Sequence, residues 1–298
     1  MTVKKIMNVV GSIILVLLAG VASIAVGAEK SLLEFNILGG VGSLPDYPAS
    51  NQQHTAYLVL PFVTYRGESF KSDLEGVKAD VVRETRVGLD ASVSGSFPAD
   101  SAKNTARFGM PDIDTMIEAG PRLYVMVPVR ELDEFRVQLP MRAVFATNFS
   151  RWQDRGFLVA PGFQYRHALD SRAASNITSY LAINFGTNRL NSYFYQVDPQ
   201  FAMADRPQYK ARGGYIGSHF GVTYDKEAGQ FKFLISIGLD SYKNSSNQAS
   251  PLHRADFSPS ILGGLIFSFY RSDEKAKTMT MPPISQRDST SDRKPAAE

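Results

Sequence analysis

The stretch "TRVGLDASVS" (residues 85–94) places Val87, Leu89, Ala91 and Val93 at every second position, alternating with Arg86, Gly88, Asp90 and Ser92. A period of two is the spacing of a β-strand whose two faces meet different surroundings. The same pattern returns in "EFRVQLPMRAVFA" (134–146), where Phe135, Val137, Leu139, Met141, Ala143 and Phe145 oppose Arg136, Gln138, Pro140 and Arg142. It returns again in "FKFLISIGLDSY" (231–242), with Lys232, Ser236 and Asp240 on the polar side, and in "SILGGLIFSFY" (260–270). An all-β, antiparallel chain follows.

Alternation alone leaves open which face is wet. In a soluble sandwich the apolar face turns inward. In an outer-membrane barrel it turns outward to lipid, and polar side chains fill the interior. Runs of 10–13 residues exceed the usual five or six of soluble sheets and suit a tilted span. Aromatic residues recur near the run ends: Tyr57 and Tyr65, Phe135 and Phe145, Phe157 and Tyr165, Phe231 and Tyr242, Phe257 and Phe269. Rings at that spacing match the girdles of a membrane interface. The closed transmembrane barrel is the favoured reading, with a soluble exported β domain as the alternative.

The first 28 residues belong to export. Lys4 and Lys5 precede an uncharged run over 6–28 that ends Val26-Gly27-Ala28, the pattern of a signal peptide cleaved after Ala28. The length of the run keeps an uncleaved anchor open as the alternative. Removing the segment takes two of the 32 basic residues and leaves 30 against 29 acidic ones, a net charge of +1. So balanced a charge gives no support to nucleic-acid binding. There is no cysteine, so stability comes from packing and backbone pairing.

Five loop segments, in order, carry a resemblance: "LPDYPAS" (44–50), "LPFVTYRG" (60–67), "SFPADSAKNTARFGMPDIDTMIEAGPRL" (96–123), "YFYQVDPQFAMADRPQYKARGGYIG" (193–217) and "ASPLHR" (249–254). Together they resemble the MipA/OmpV family, over residues 35–272. One departure is Ala49, where the family usually reads Gly. The resemblance implies an outer-membrane β-barrel in contact with outer-membrane lipid. For one member it implies a scaffold tethering a lytic transglycosylase and a penicillin-binding protein; other members are treated as porin-like or adhesive. The expected function is therefore a non-enzymatic scaffold for murein enzymes, with a small pore or a surface adhesin as alternatives. No cofactor is implied.

The periodicity places strands near 31–42, 54–66, 69–77, 81–94, 115–127, 133–146, 156–166, 177–187, 212–224, 230–243 and 257–270. A barrel whose ends lie on one side needs an even number. Residues 190–197 supply the twelfth, and ten is the alternative count. Domain organisation is then signal 1–28, barrel 29–271 and a charged, Pro-containing tail 272–298 expected to be disordered in the periplasm. In this parse loop 95–114 falls at the periplasmic end or folds inward there. Loops 44–50, 198–210 and 244–256 face outward.

Two sets of residues are candidates for function. Within the first long loop, Arg107, Gly109, Met110, Pro111, Asp112 and Asp114 form a turn-rich group. The paired carboxylates are those of an acid–base couple or a cation site. The structural reading is stronger: Pro-Asp turns, carboxylates capping local N–H groups and Arg107 neutralising them, with a partner-docking surface as the functional alternative. The second set is polar-face charge: Arg86, Asp90, Glu118, Arg122, Arg136, Arg142, Arg166, Lys232 and Asp240. Mixed signs favour mutual pairing across the interior over an ion-selective lining. His54, His167, His219 and His253 show no catalytic or metal-ligand spacing, so neither a catalytic residue nor a metal is expected. The tandem Gly213-Gly214 lacks the following Lys of a phosphate loop and reads as a bulge, or as glycine facing an aromatic.

Overall fold

The computed structural model describes residues 30–67, 70–73, 76–79, 87–130 and 132–276. Residues 1–29, expected to be an export signal, lie outside the described residues, as do Arg86 and the tail beyond 276. Strands β1 (Leu33–Pro45), β2 (Gln53–Arg66), β3 (Phe70–Asp73), β4 (Gly76–Ala79), β5 (Val87–Ser96), β6 (Thr115–Pro128) and β7 (Glu134–Thr147) follow one another. Then come β8 (Trp152–Val159), β9 (Gly162–Ala168), β10 (Ser175–Gly186), helix α1 (Asn188–Tyr195), β11 (Gly214–Ala228), β12 (Phe231–Ser241) and β13 (Phe257–Arg271). The thirteen strands of the described residues belong to one antiparallel sheet.

Register ties the sheet together. The β1 strand pairs with β2 on one side and β13 on the other, as Gly40 opposite Leu58 and Gly264 shows. Strand β7 pairs with β8 through residues 141–147 and with β9 through 134–138. Ala160 and Pro161 interrupt what is otherwise one continuous line, because proline removes a ladder donor. Strand β10 runs beside both pieces and then beside β11.

Three expectations change. Residues 69–77 are not one strand: β3 and β4 form a short hairpin, with Phe70 opposite Ala79. Residues 190–197 are not a strand, since α1 occupies 188–195. Leu190 and Phe194, and Asn191 and Tyr195, recur four apart and bury one face of that helix. The tail does not leave the wall at 272 either: the Ala276 N–H donates to the Lys30 carbonyl at 2.8 Å, and Leu32 to Glu274 at 2.8 Å.

The extra hairpin reverses β5–β10 relative to the expectation, and the helix over 188–195 restores the expected direction of β11–β13, so loop 97–114 alone of the long loops sits at the opposite end from the one expected. It shares that end with loops 46–52, 187–213 and 242–256: Asn104 Nδ2 donates to Asp46 Oδ2 at 2.6 Å and Arg206 Nη1 to the Ala106 carbonyl at 3.0 Å. Short turns at 129–133, 169–174 and 229–230 occupy the other end, with the start and finish of the described chain.

Burial decides the question the alternation left open. On β5, Leu89 and Val93 are 44% and 51% exposed, while Asp90 and Ser92 are 5% and 3% exposed. Tyr57 and Val59 on β2 reach 76% each. The apolar face is outside and the polar face inside, the reverse of a soluble sheet. Outward aromatics gather into bands. At the short-turn end Phe35 meets Phe269 and Tyr270, and Phe231 meets Phe267. Toward the long-loop end Tyr57, Trp152, Phe157 and Phe257 stand exposed. Tyr242, read as a girdle residue, is instead buried.

Candidate functional site

Among the described residues a water-soluble style of core forms in one place, across the long-loop mouth. Tyr47, Ile113, Leu190, Phe194, Tyr195, Val197 and Leu252 pack together from four loops, against Met116, Val144 and Leu158 at strand ends. These loops make a cap.

Side chains stitch the cap from sequence-distant pieces. Asn247, fully buried, donates to Asn191 Oδ1 at 2.9 Å and to the Arg212 carbonyl at 2.7 Å, and accepts from the Arg212 N–H at 2.8 Å. Gln52 accepts from the N–H and hydroxyl of Thr105, both at 2.6 Å. Tyr47 donates its hydroxyl to the Leu252 carbonyl at 2.8 Å, and burial pushes its pKa up to about 12. Burial likewise raises the Tyr195 and Tyr242 hydroxyls.

The first set of sequence candidates is part of this cap. Arg107 is buried with its guanidinium over the Tyr47 ring, 5.5 Å from the centroid. It donates to Ser101 Oγ at 3.2 Å, the Phe194 carbonyl at 3.2 Å and the Pro111 carbonyl at 3.1 Å. Asp112 accepts from the Ser101 N–H at 2.7 Å, so its carboxylate fixes a turn. The Asp114 N–H donates to the Tyr193 hydroxyl at 2.7 Å. Gly109 has φ +79°, a left-handed position suited to glycine, and Met110 packs on the core. The two carboxylates are not brought together as an acid–base couple. Arg107 holds carbonyls, and the Asp112 carboxylate is near enough to favour its charge.

Ala49 takes the backbone conformation that would favour the glycine usual in the family. Its φ is +66° and its methyl is completely buried, so a left-handed position carries a side chain here. The Gly213–Gly214 segment does accompany a bulge, with the register slipping between Asn184 and Phe185 opposite Tyr215. Glycine facing an aromatic occurs elsewhere: a Cβ at Gly88 would collide with the Tyr124 ring at 2.2 Å.

Below the cap the second candidate set meets as pairs. Arg122 grips Asp90 with two hydrogen bonds of 2.8 Å, a bidentate pair between cross-strand neighbours. Arg142 stands 3.1 Å from Glu118, Lys232 3.1 Å from Asp225, and Arg166 3.9 Å from Glu134. Arg136 lies over the Tyr124 ring, 5.2 Å from its centroid. Asp240 accepts from His219 Nδ1 at 2.7 Å, and His219 Nε2 meets the Tyr180 hydroxyl at 3.0 Å.

Sequence reading missed that every histidine has an aspartate. His54 meets Asp46 at 2.8 Å, His167 meets Asp133 at 2.9 Å, and His253 meets Asp256 at 3.1 Å. A signal existed for one pair, His253 and Asp256 being three residues apart; the others come from register. Among the described residues no three His, Asp or Glu side chains gather as a metal site.

An antiparallel sheet with lipid-facing apolar residues, paired charges within and aromatic bands at both ends is that of an outer-membrane β protein. Residues 37–269 match the family model described as "MltA-interacting protein MipA". The chain belongs to the MipA family. No curated protein matches it. Among solved structures, similarity extends to an outer membrane channel from Pseudomonas putida F1 at 9% identity, covering 84% of this chain and 100% of that one, with a TM-score of 0.44. The translocator domain of the autotransporter NalP from Neisseria meningitidis shares 11% identity, with 89% and 96% coverage and a TM-score of 0.40. A FadL homologue from Pseudomonas aeruginosa shares 8%, with 80% and 90% coverage and a TM-score of 0.33.

Proposed function

We propose that this chain is a closed outer-membrane barrel that serves as a non-enzymatic anchor for a lytic transglycosylase. The observation that carries the reading is membership of a family whose model is described by interaction with MltA. We count the barrel as twelve strands, with β8 and β9 one strand interrupted at Ala160-Pro161; the circuit of pairings from β1 round to β13 supports this. Paired charges inside and a packed cap over one mouth favour anchoring over conduction. The partner docks at the short-turn end, which we assign to the periplasm because murein and its enzymes lie there. A penicillin-binding protein joins through the same end.

Binding of a purified lytic transglycosylase to the full chain in detergent is the test. Saturable binding that survives protease trimming of the long loops is expected. Absence of binding at micromolar concentration overturns the reading. Steady single-channel current in a planar bilayer would favour the pore instead, and adhesion to host matrix the adhesin.

A further inference from the structure

On the outside of the cap, loops 97–114, 198–210 and 242–256 enclose a cavity of about 360 Å³. Its lining includes Lys103, Phe108, Met203, Asp205, Arg206 and Arg254. That volume lies within the range of small-molecule sites.

Arg206 is the unusual member. It is 3% exposed, and its Nε donates to the Phe201 carbonyl at 2.9 Å while Nη1 donates to the Ala106 and Phe108 carbonyls at 3.0 and 2.9 Å. Its remaining terminal nitrogen, Nη2, is buried without a hydrogen-bond partner. Among the described residues no carboxylate lies within ion-pair distance of it. Backbone dipoles alone solvate this guanidinium, and a buried cation without a counter-charge is costly. Arg107, nearby in the same cap, is held by carbonyls, a hydroxyl and the Tyr47 ring. The rim adds Lys103, which stands 3.1 Å from Asp100, and Arg254, an exposed side chain; Asp205 is the single acid among the lining residues. Positive charge is in surplus here. Beside it, Phe108 and Met203 are more than half exposed, an apolar shelf.

A buried guanidinium with no facing carboxylate and an apolar shelf define one ligand chemistry. We propose that this cavity binds a phosphate group carried on an apolar body, with the exposed Arg254 contacting the oxyanion, the buried charge of Arg206 beneath it adding positive potential, and Phe108 and Met203 taking the body. Guanidinium groups suit phosphate because their donors form a planar fork. The inference is independent of transglycosylase docking, which is assigned to the other end.

Three probes test it on the full chain in neutral detergent: inorganic phosphate, hexyl phosphate and hexanol. The readout is the methyl resonance of Met203, assigned by its loss in Met203→Leu. Hexyl phosphate should shift it saturably, inorganic phosphate more weakly and hexanol not at all. Equal binding of the two phosphates would identify a free-anion site and overturn the role of the shelf. Arg254→Gln should weaken hexyl phosphate about tenfold or more, the loss expected for one charge-assisted contact. Asp205→Asn should tighten it, which a misfolded variant would not do. Equal binding of hexanol, no saturable shift, or an unchanged affinity in Arg254→Gln overturns the proposal.

Discussion

Replacing Asp90 with Ala probes the interior face directly. Asp90 and Arg122 are buried cross-strand neighbours joined by two 2.8 Å bonds, so the substitution leaves a guanidinium without its main counter-charge. Breaking one side of a buried pair costs about 3–5 kcal/mol, whereas an exposed pair is worth roughly 0–1 kcal/mol. The expected loss is therefore about 3 kcal/mol or more, a hundredfold or greater fall in the folding constant. The double replacement Asp90→Leu with Arg122→Met removes both charges and should recover most of that loss, since an apolar pair of similar volume is often neutral. Urea unfolding in detergent, followed by the fluorescence of Trp152, the only tryptophan, measures each variant. A single-variant loss below about 1 kcal/mol, or a double variant as unstable as the single, refutes the buried-pair account.

Other outcomes follow from the cap and the outer face. Raising the pH from 10 to 12 should loosen the cap: Tyr47 keeps its proton to about 12 in the fold but loses it near 10 when unfolded, so stability falls across that window. Tyrosinate absorbance should then rise together with protease cleavage of the loops. Asn247→Ala strands the Arg212 backbone and should cost the cap about 1–3 kcal/mol, seen as faster amide exchange over 187–213 while the strands stay protected. Ala49→Gly should change stability by less than about 1 kcal/mol, relief of the left-handed strain offsetting the lost methyl and added chain entropy. Ile237→Arg, on the exposed face of β12, should cost roughly 2–4 kcal/mol in lipid if that residue lies near the bilayer midplane.

Alternation made the long strands legible because a one-residue slip would put Leu89 inside and Asp90 in lipid, so the pattern and the fold are one constraint. The signs of the interior charges were readable too, yet their partners were not. Register decides that Arg122 faces Asp90, and sequence spacing of 32 does not. The side taken by loop 97–114 was lost to parity, since the hairpin of β3 and β4 inverts the strands from β5 to β10. The cap was invisible because its core joins Tyr47, Ile113, Tyr195 and Leu252, no two of which share a local pattern. Helix α1 escaped the sequence reading because the even count of a barrel asked for one more strand there, against the four-residue recurrence of Leu190 and Phe194.

The inward polar face is most directly tested by spin-label accessibility, which the absence of native cysteine makes straightforward. Single cysteines placed along β5 from 87 to 94 in lipid vesicles should alternate, with labels at 89 and 93 relaxed by dissolved oxygen and those at 90 and 92 shielded from it. Uniform accessibility to a water-soluble nickel chelate at 89 and 93 would contradict the account, because those positions would then face water rather than hydrocarbon.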